Sequence, residues 1–259
     1  MKSIFLKIRS LTIKALILFL ILNFTSNNAF AEKIKDPFEK VNRAVFIFND
    51  AIDTVLLEPL SKVYLIVPQE GRDVLRNFMR NLETPIILAN NILQADISAA
   101  QVTSMRFIIN STVGIAGFFD PAKKIGLERK DEDFGQTLAK YGIGSGYYLV
   151  LPFMGPTTIR DAFGIGVDQI FDPTKLVFKS YSAGLAKTSI RVLDVRGRHI
   201  KTIDTIKSTS IDYYSTLKSL YIQRRMSEVS NGKIPNLPDF DYNENEDSLD
   251  KMIILKKDK

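Results

Sequence analysis

The chain reads as all-α, an assembly of amphipathic helices around a glycine-rich central region with little or no strand. Three observations predict this. Apolar residues recur at alternating spacings of three and four, caps and prolines punctuate those runs where helices start and stop, and alternating strand patterns are scarce. Between Gly114 and Gly166 stand ten of the 14 glycines, so short helices and turns are expected there instead of a regular layer.

The elements follow in order. Residues 1–31 carry a basic head (Lys2, Lys7, Arg9, Lys14), an apolar run Ala15–Leu22 and the small-x-small site Ala29-Phe30-Ala31, the pattern of a cleaved secretory signal. The apolar run is shorter than the roughly 20 residues a spanning helix needs. Asp36-Pro37-Phe38-Glu39 then predicts a helix start, with Asp36 as cap and Glu39 three residues on. Phe38, Val41, Val45, Phe48, Ile52 and Val55 share one face of that helix, expected over 38–57 and to stop at Glu58-Pro59.

Thr84-Pro85 predicts another helix start, and Asp96 a cap for a helix over roughly 97–113. That segment is apolar except for Thr103, Arg106 and Asn110, which share one stripe. Two readings stand: the stripe pairs with buried carboxylates and carbonyls to fix packing, or it forms a polar wall facing a passage filled with water or headgroups. Tyr147–Leu151 is the best strand candidate. From Asp172-Pro173 the pattern turns helical again. Ser210–Ser230 reads as a closing helix, with Asp212 in its first turn, Arg224 and Arg225 near its end and Asn231-Gly232 as its stop. Beyond Pro238 the chain is acidic and then basic. The expected organisation is therefore a signal over 1–31, one helical domain over 32–238, and a disordered charged tail over 239–259.

Composition removes several function classes. The formal charge of +6 is largely the leader's, because the remainder balances 31 basic against 29 acidic residues, which gives no support to nucleic-acid binding. Zero cysteines exclude a disulfide framework and leave no thiol for N-terminal acylation. Asp133-Phe134-Gly135 lacks the companions of a kinase metal-binding triplet, and Gly142-Ile143-Gly144-Ser145-Gly146 has Tyr147 where a dinucleotide fingerprint needs glycine. His199, the single histidine, sits in the polar run Arg196–His199 and reads as a solvated surface residue. Asp161 and Asp168 share a helix face as an acid–base pair would, but Arg160 beside the first makes an ion pair or cap the more economical account. No enzyme, metal or cofactor is expected.

An ordered series of motifs remains. Asn42-Arg43 with Phe48-Asn49, Arg106-Phe107-Ile108-Ile109-Asn110, Gly117-Phe118-Phe119-Asp120, Asp133-Phe134-Gly135-Gln136-Thr137-Leu138, Tyr141-Gly142, Gly146-Tyr147-Tyr148, Leu151-Pro152, Gly155-Pro156, Arg160-Asp161 and Tyr221-Ile222-Gln223-Arg224 together resemble the VacJ/MlaA family of outer-membrane phospholipid-transport proteins. The resemblance extends from about Asp36 to Pro238. It implies a ring-shaped helical protein in the inner leaflet of a Gram-negative outer membrane, beside a trimeric porin. Such a protein offers a passage by which phospholipids misplaced in the outer leaflet leave for a soluble periplasmic carrier, which maintains lipid asymmetry. The family match makes Arg43, Phe48, Asn49, Arg106, Asn110, Tyr141, Gly142, Gly144 and Gly146 candidates for the passage or its gate. Asp133, Phe134, Gly135, Gln136, Thr137, Pro152, Gly155, Pro156, Arg160 and Asp161 form its structural motif.

The task has a physical scale. Exposing some thirty methylenes of a two-chain lipid to water at about 0.8 kcal/mol each costs upward of roughly 20 kcal/mol, so a conduit must shelter acyl chains while offering polar contacts to the headgroup. Family members commonly end their signal at a cysteine, which this chain lacks; membrane attachment is expected to rest on an apolar belt or a porin. The rival reading is a periplasmic lipid-binding or scaffold protein without a passage, which predicts a closed apolar cavity.

Overall fold

The structure, a computed structural model, describes residues 34–232; the expected signal and the expected tail lie outside the described residues. Helix α1 (Glu39–Ile52) runs through a π-helical turn (Asp53–Leu57) directly into α2 (Glu58–Tyr64). The helix therefore does not stop at Glu58-Pro59. The widened turn, in which the Glu58 N–H donates to Asp53 O, sets Pro59 in the first turn of α2, where a missing N–H costs little. Asp36 does not cap α1 either. Its carboxylate accepts from Asn42 Nδ2 at 2.8 Å, the Tyr214 hydroxyl at 2.5 Å and Lys218 Nζ at 2.8 Å, so the group expected to act locally is a tertiary anchor.

Helix α3 (Gln69–Leu93) starts after the extended Pro68 and contains Pro85, so Thr84-Pro85 lies inside a helix instead of opening one. One helical bond is lost at Pro85. Around it, the Arg80 carbonyl accepts from Thr84 Oγ1 at 3.1 Å and from Arg129 Nη1 at 2.8 Å, which ties the disturbed turn to the chain beyond α4. Helix α4 (Ile97–Thr112) begins as expected, with Asp96 Oδ1 accepting from the Ala99 N–H at 2.9 Å, and packs along α3. The short α5 (Pro121–Lys124) and α6 (Phe134–Lys140) lead to a hairpin of β1 (Tyr148–Leu151) and β2 (Gly155–Thr158), antiparallel with Tyr148 opposite Thr158 and Leu151 opposite Gly155. Then come α7 (Ile159–Ile170), α8 (Thr174–Val177), α9 (Tyr181–Arg198), α10 (Ile200–Thr209) and α11 (Tyr213–Val229), the last capped by Asp212.

Burial is inverted relative to a water-soluble domain. Among the described residues eight hydrophobic side chains are buried against 21 polar or charged ones, while 36 large hydrophobics are exposed. A chain folding in water buries its apolar groups first, so exposed apolar surface on this scale is what an interaction face for protein or lipid presents. The stripe on α4 shows the principle in one helix: Ala100, Thr103, Arg106 and Asn110 are buried, whereas Met105 and Ile108 face outward at 50% and 61% exposure. Among the described residues no helix is long and apolar enough to cross a membrane.

Candidate functional site

The hairpin and helices α3, α6, α7, α9 and α11 all contribute to the wall of one cavity of about 960 Å³. Its lining mixes apolar side chains such as Ile86, Ile87, Met154 and Ile165 with a dense set of charged ones.

The wall is held together where α6 and α7 cross. Asp133 and Gln136 form a capping box: Asp133 Oδ1 accepts from the Gln136 N–H at 2.8 Å, and Gln136 Oε1 accepts from the Asp133 N–H at 3.2 Å. The Asp-Phe-Gly-Gln run is thus a helix start. Behind it the two helices touch through glycines. A Cβ on Gly164 would stand 2.4 Å from the Gly135 nitrogen, and one on Gly135 would stand 2.6 Å from Arg225 Nη2 and 2.7 Å from Asp161 Oδ1. The missing side chains make room for the ion-pair hub of the molecule. Arg225, on α11, binds Asp133 through both terminal nitrogens at 2.7 Å each and Asp161 through Nη2 at 2.8 Å. Burial pulls the Arg225 pKa down, but the two carboxylates outweigh it and the net shift is upward. Asp161 mirrors this: burial pushes its carboxyl up, yet Arg225, Arg160 and the Tyr221 hydroxyl at 2.7 Å hold it below the usual carboxylate range.

Asp161 and Asp168 do not act as a pair. Arg160 Nη2 lies 3.0 Å from Asp161 Oδ1, while Asp168 takes the Phe134 N–H at 2.9 Å and Asn90 Nδ2 at 3.2 Å. Asp168 and Glu132 are both shifted upward, chiefly by burial.

The nine passage or gate candidates lie elsewhere, and none lines this cavity. Their polar atoms are engaged by the chain itself. Arg106 donates to Leu127 O and to Asp120 Oδ2, and Asn110 Nδ2 donates to Asp120 Oδ1 at 2.8 Å; both border a separate cavity of about 20 Å³, room for a single water. Arg43 grips Asp212 with Nη1 at 3.0 Å and Nη2 at 2.6 Å, and lies over the Tyr214 ring. Asn49 donates to Leu151 O at 3.0 Å and accepts from the Phe153 N–H at 2.9 Å, while Phe48 packs edge-on against Phe153, so this pair holds the hairpin turn. Tyr141 donates to Leu93 O, and Gly142, Gly144 and Gly146 lie in the segment joining α6 to β1, with φ of +79° at Gly142 and +69° at Gly146.

Of the structural-motif set, Asp133, Gln136, Pro156 and Asp161 do line the cavity. So does His199, which is half-buried and not the solvated residue the sequence suggested. Arg225 and Asn42 carry more of the architecture than their sequence context signals. Arg225 appears there only as a basic residue near a helix end, and Asn42 only as half of a motif.

Comparison with known proteins agrees with the architecture. Residues 34–228 match the family model described as MlaA lipoprotein. The chain is similar to the intermembrane phospholipid transport system lipoprotein MlaA of Escherichia coli, at 31% identity over 204 residues, which covers 77% of this chain and 80% of that protein. A Rickettsia conorii protein is 39% identical over 208 residues, covering 80% of this chain and 83% of its own length. A solved structure described as "Structural basis for maintenance of bacterial outer membrane lipid asymmetry" superposes with a TM-score of 0.68 at 28% identity, covering 75% of this chain and 99% of that one.

Proposed function

The chain belongs to the MlaA lipoprotein family, and from that premise we propose that it moves phospholipid out of the outer leaflet of an outer membrane toward a soluble carrier. The observation that carries this reading is the pairing of an outer surface rich in exposed apolar side chains with a cavity whose wall sets many charged groups among apolar ones. Outward apolar groups replace a lipid leaflet's own contacts, and the inner charges solvate a headgroup on its way through. The rival, a carrier without a passage, expects a closed apolar cavity, and the charged wall speaks against it.

The protein acts from the inner leaflet, held there by its apolar surface, with a trimeric porin beside it and a periplasmic carrier as the acceptor. No bond is made or broken. The cavity wall is the route. Arg43 and Asn49 support the route from behind, as ties on the hairpin and on α11. Filling the bore tests this: Ile165→Trp is expected to leave the protein in the membrane fraction while phospholipid accumulates at the cell surface. A variant that blocks nothing while folding normally places the route elsewhere.

A further inference from the structure

Nine carboxylates line the cavity. Seven of them meet a cation within 4.0 Å, as Glu83 meets Arg191, Asp172 meets Lys187 and Asp161 meets Arg225. Glu132 and Asp168 are different: among the described residues each is bound by neutral donors alone. Glu132 Oε2 accepts from Gln94 Nε2 at 2.9 Å and Gln136 Nε2 at 2.8 Å, and Asp168 accepts from the Phe134 N–H and from Asn90 Nδ2. Thr137 Oγ1 joins the two groups, donating to Asn90 Oδ1 at 2.8 Å and accepting from Gln94 Nε2 at 3.2 Å. The result is one continuous polar strip across α3, α6 and α7, bearing two carboxylates with no cation in contact; Arg225 acts on both only through space.

A second feature points the same way. Glu132 is only 7% exposed, yet its other oxygen, Oε1, accepts no hydrogen bond among the described residues. Oε1 is not among the fully buried unsatisfied atoms, so it keeps accessible surface on a residue that lines the cavity and can accept from a donor that enters. The upward shift of both groups by burial is what a carboxylate lacking a cation shows.

We propose that Glu132 and Asp168 are specificity-determining residues of the lipid passage, favouring phospholipids whose headgroup carries a primary ammonium over those whose headgroup is net anionic. The inference rests on the passage reading above. A primary ammonium brings one positive charge and three donors, which match the unneutralised strip and the open Oε1. A net anionic headgroup brings like charge to Glu132 and Asp168 and leaves the strip uncompensated, whatever it gains from the cations elsewhere on the wall.

The test uses the full-length protein in detergent, equilibrated with vesicles holding equal phosphatidylethanolamine and phosphatidylglycerol of matched chains, with retained lipid measured by mass spectrometry. The expected enrichment of the ethanolamine lipid is roughly fivefold, the effect of about 1 kcal/mol for a partly screened pair. In the double variant Glu132→Gln, Asp168→Asn the ratio falls to near that supplied. Glu132→Gln alone, which keeps an oxygen for the two amides, falls between and serves if the double variant does not fold. Wild type retaining both lipids in the supplied ratio, or variants keeping the wild-type ratio, overturns the proposal. Wild type retaining neither lipid overturns the passage reading together with it.

Discussion

Asn42 does the work of a missing β-strand. Its Oδ1 accepts from the Val150 N–H at 2.9 Å and its Nδ2 donates to Tyr148 O at 3.0 Å, so one amide supplies both halves of a ladder rung to the free edge of β1. Both bonds are buried, and Asn42→Ala would strand a backbone donor and a backbone acceptor at about 1–3 kcal/mol each. Roughly 2–5 kcal/mol of stability should be lost, measurable by denaturant unfolding in detergent. Asn42→Asp should do no better, because it replaces the donor facing Tyr148 O and Asp36 with a second acceptor. The sequence makes Asn42 visible as a polar residue on an amphipathic helix, but its two backbone partners on β1 lie over a hundred residues away, and no local pattern encodes them.

Asp161, buried, and Asp168, half-buried, make a matching pair of pH predictions with opposite signs. Asp161 is depressed in the folded state, so its contribution is complete above its ordinary value of 3.8 and is lost as pH falls through the lower folded value. Asp161→Asn should therefore melt below wild type at neutral pH, with the gap closing in strong acid. Asp168 is raised, so its charge costs stability as pH climbs from 3.8 through the higher folded value. Asp168→Asn should gain on wild type as pH rises toward neutrality, and melting curves across that range check both signs together.

At the scale of elements, the crossing of α6 and α7 depends on two glycines, and the difference between glycines is testable. In Gly164→Ala the new Cβ meets backbone, 2.4 Å from the Gly135 nitrogen and 2.8 Å from its Cα, so the helices must separate and the Arg225 hub with them. Overpacking of this kind costs typically about 1–3 kcal/mol. Gly166 lies in the same helix with nothing within 4 Å of the added carbon, and Gly166→Ala should instead stabilise by roughly 0.5–1 kcal/mol. Thermal unfolding of the two variants should move in opposite directions. The glycine density of this region was legible in the sequence as short helices and turns, and the close approach of Gly135 and Gly164 behind it was not. The capping box at Asp133-Gln136 was equally present but hidden by those glycines, which argue against a helix. Pro59 and Pro85 misled for the converse reason: a π-turn carries the first helix past Pro59, where local preference says stop, and α3 runs through Pro85, where it says start.

At the scale of the whole molecule, sequence periodicity says that a helix has two faces without saying which one meets its neighbours. On α4 the narrow polar stripe is the buried face, and only the fold reveals it, because the assumption that apolar means inside holds for water alone. The amphipathic helices were legible; the direction of the inversion needed the family resemblance. A solvent test separates the two possible outsides. Val55, Ile108 and Phe171 are exposed at 77%, 61% and 73% and stand on three separate elements or their ends. Were these faces in water, Val55→Lys, Ile108→Lys and Phe171→Lys would each change stability by no more than about 0.5 kcal/mol and improve solubility. In a lipid leaflet each charge costs about 2–4 kcal/mol near the apolar centre and less toward the headgroups. The triple variant should therefore shift from the membrane fraction to the soluble fraction of fractionated cells, or vanish from both through proteolysis. Its retention in the membrane at wild-type level would mean that these faces do not contact acyl chains, and the attachment would have to come from a protein partner covering them.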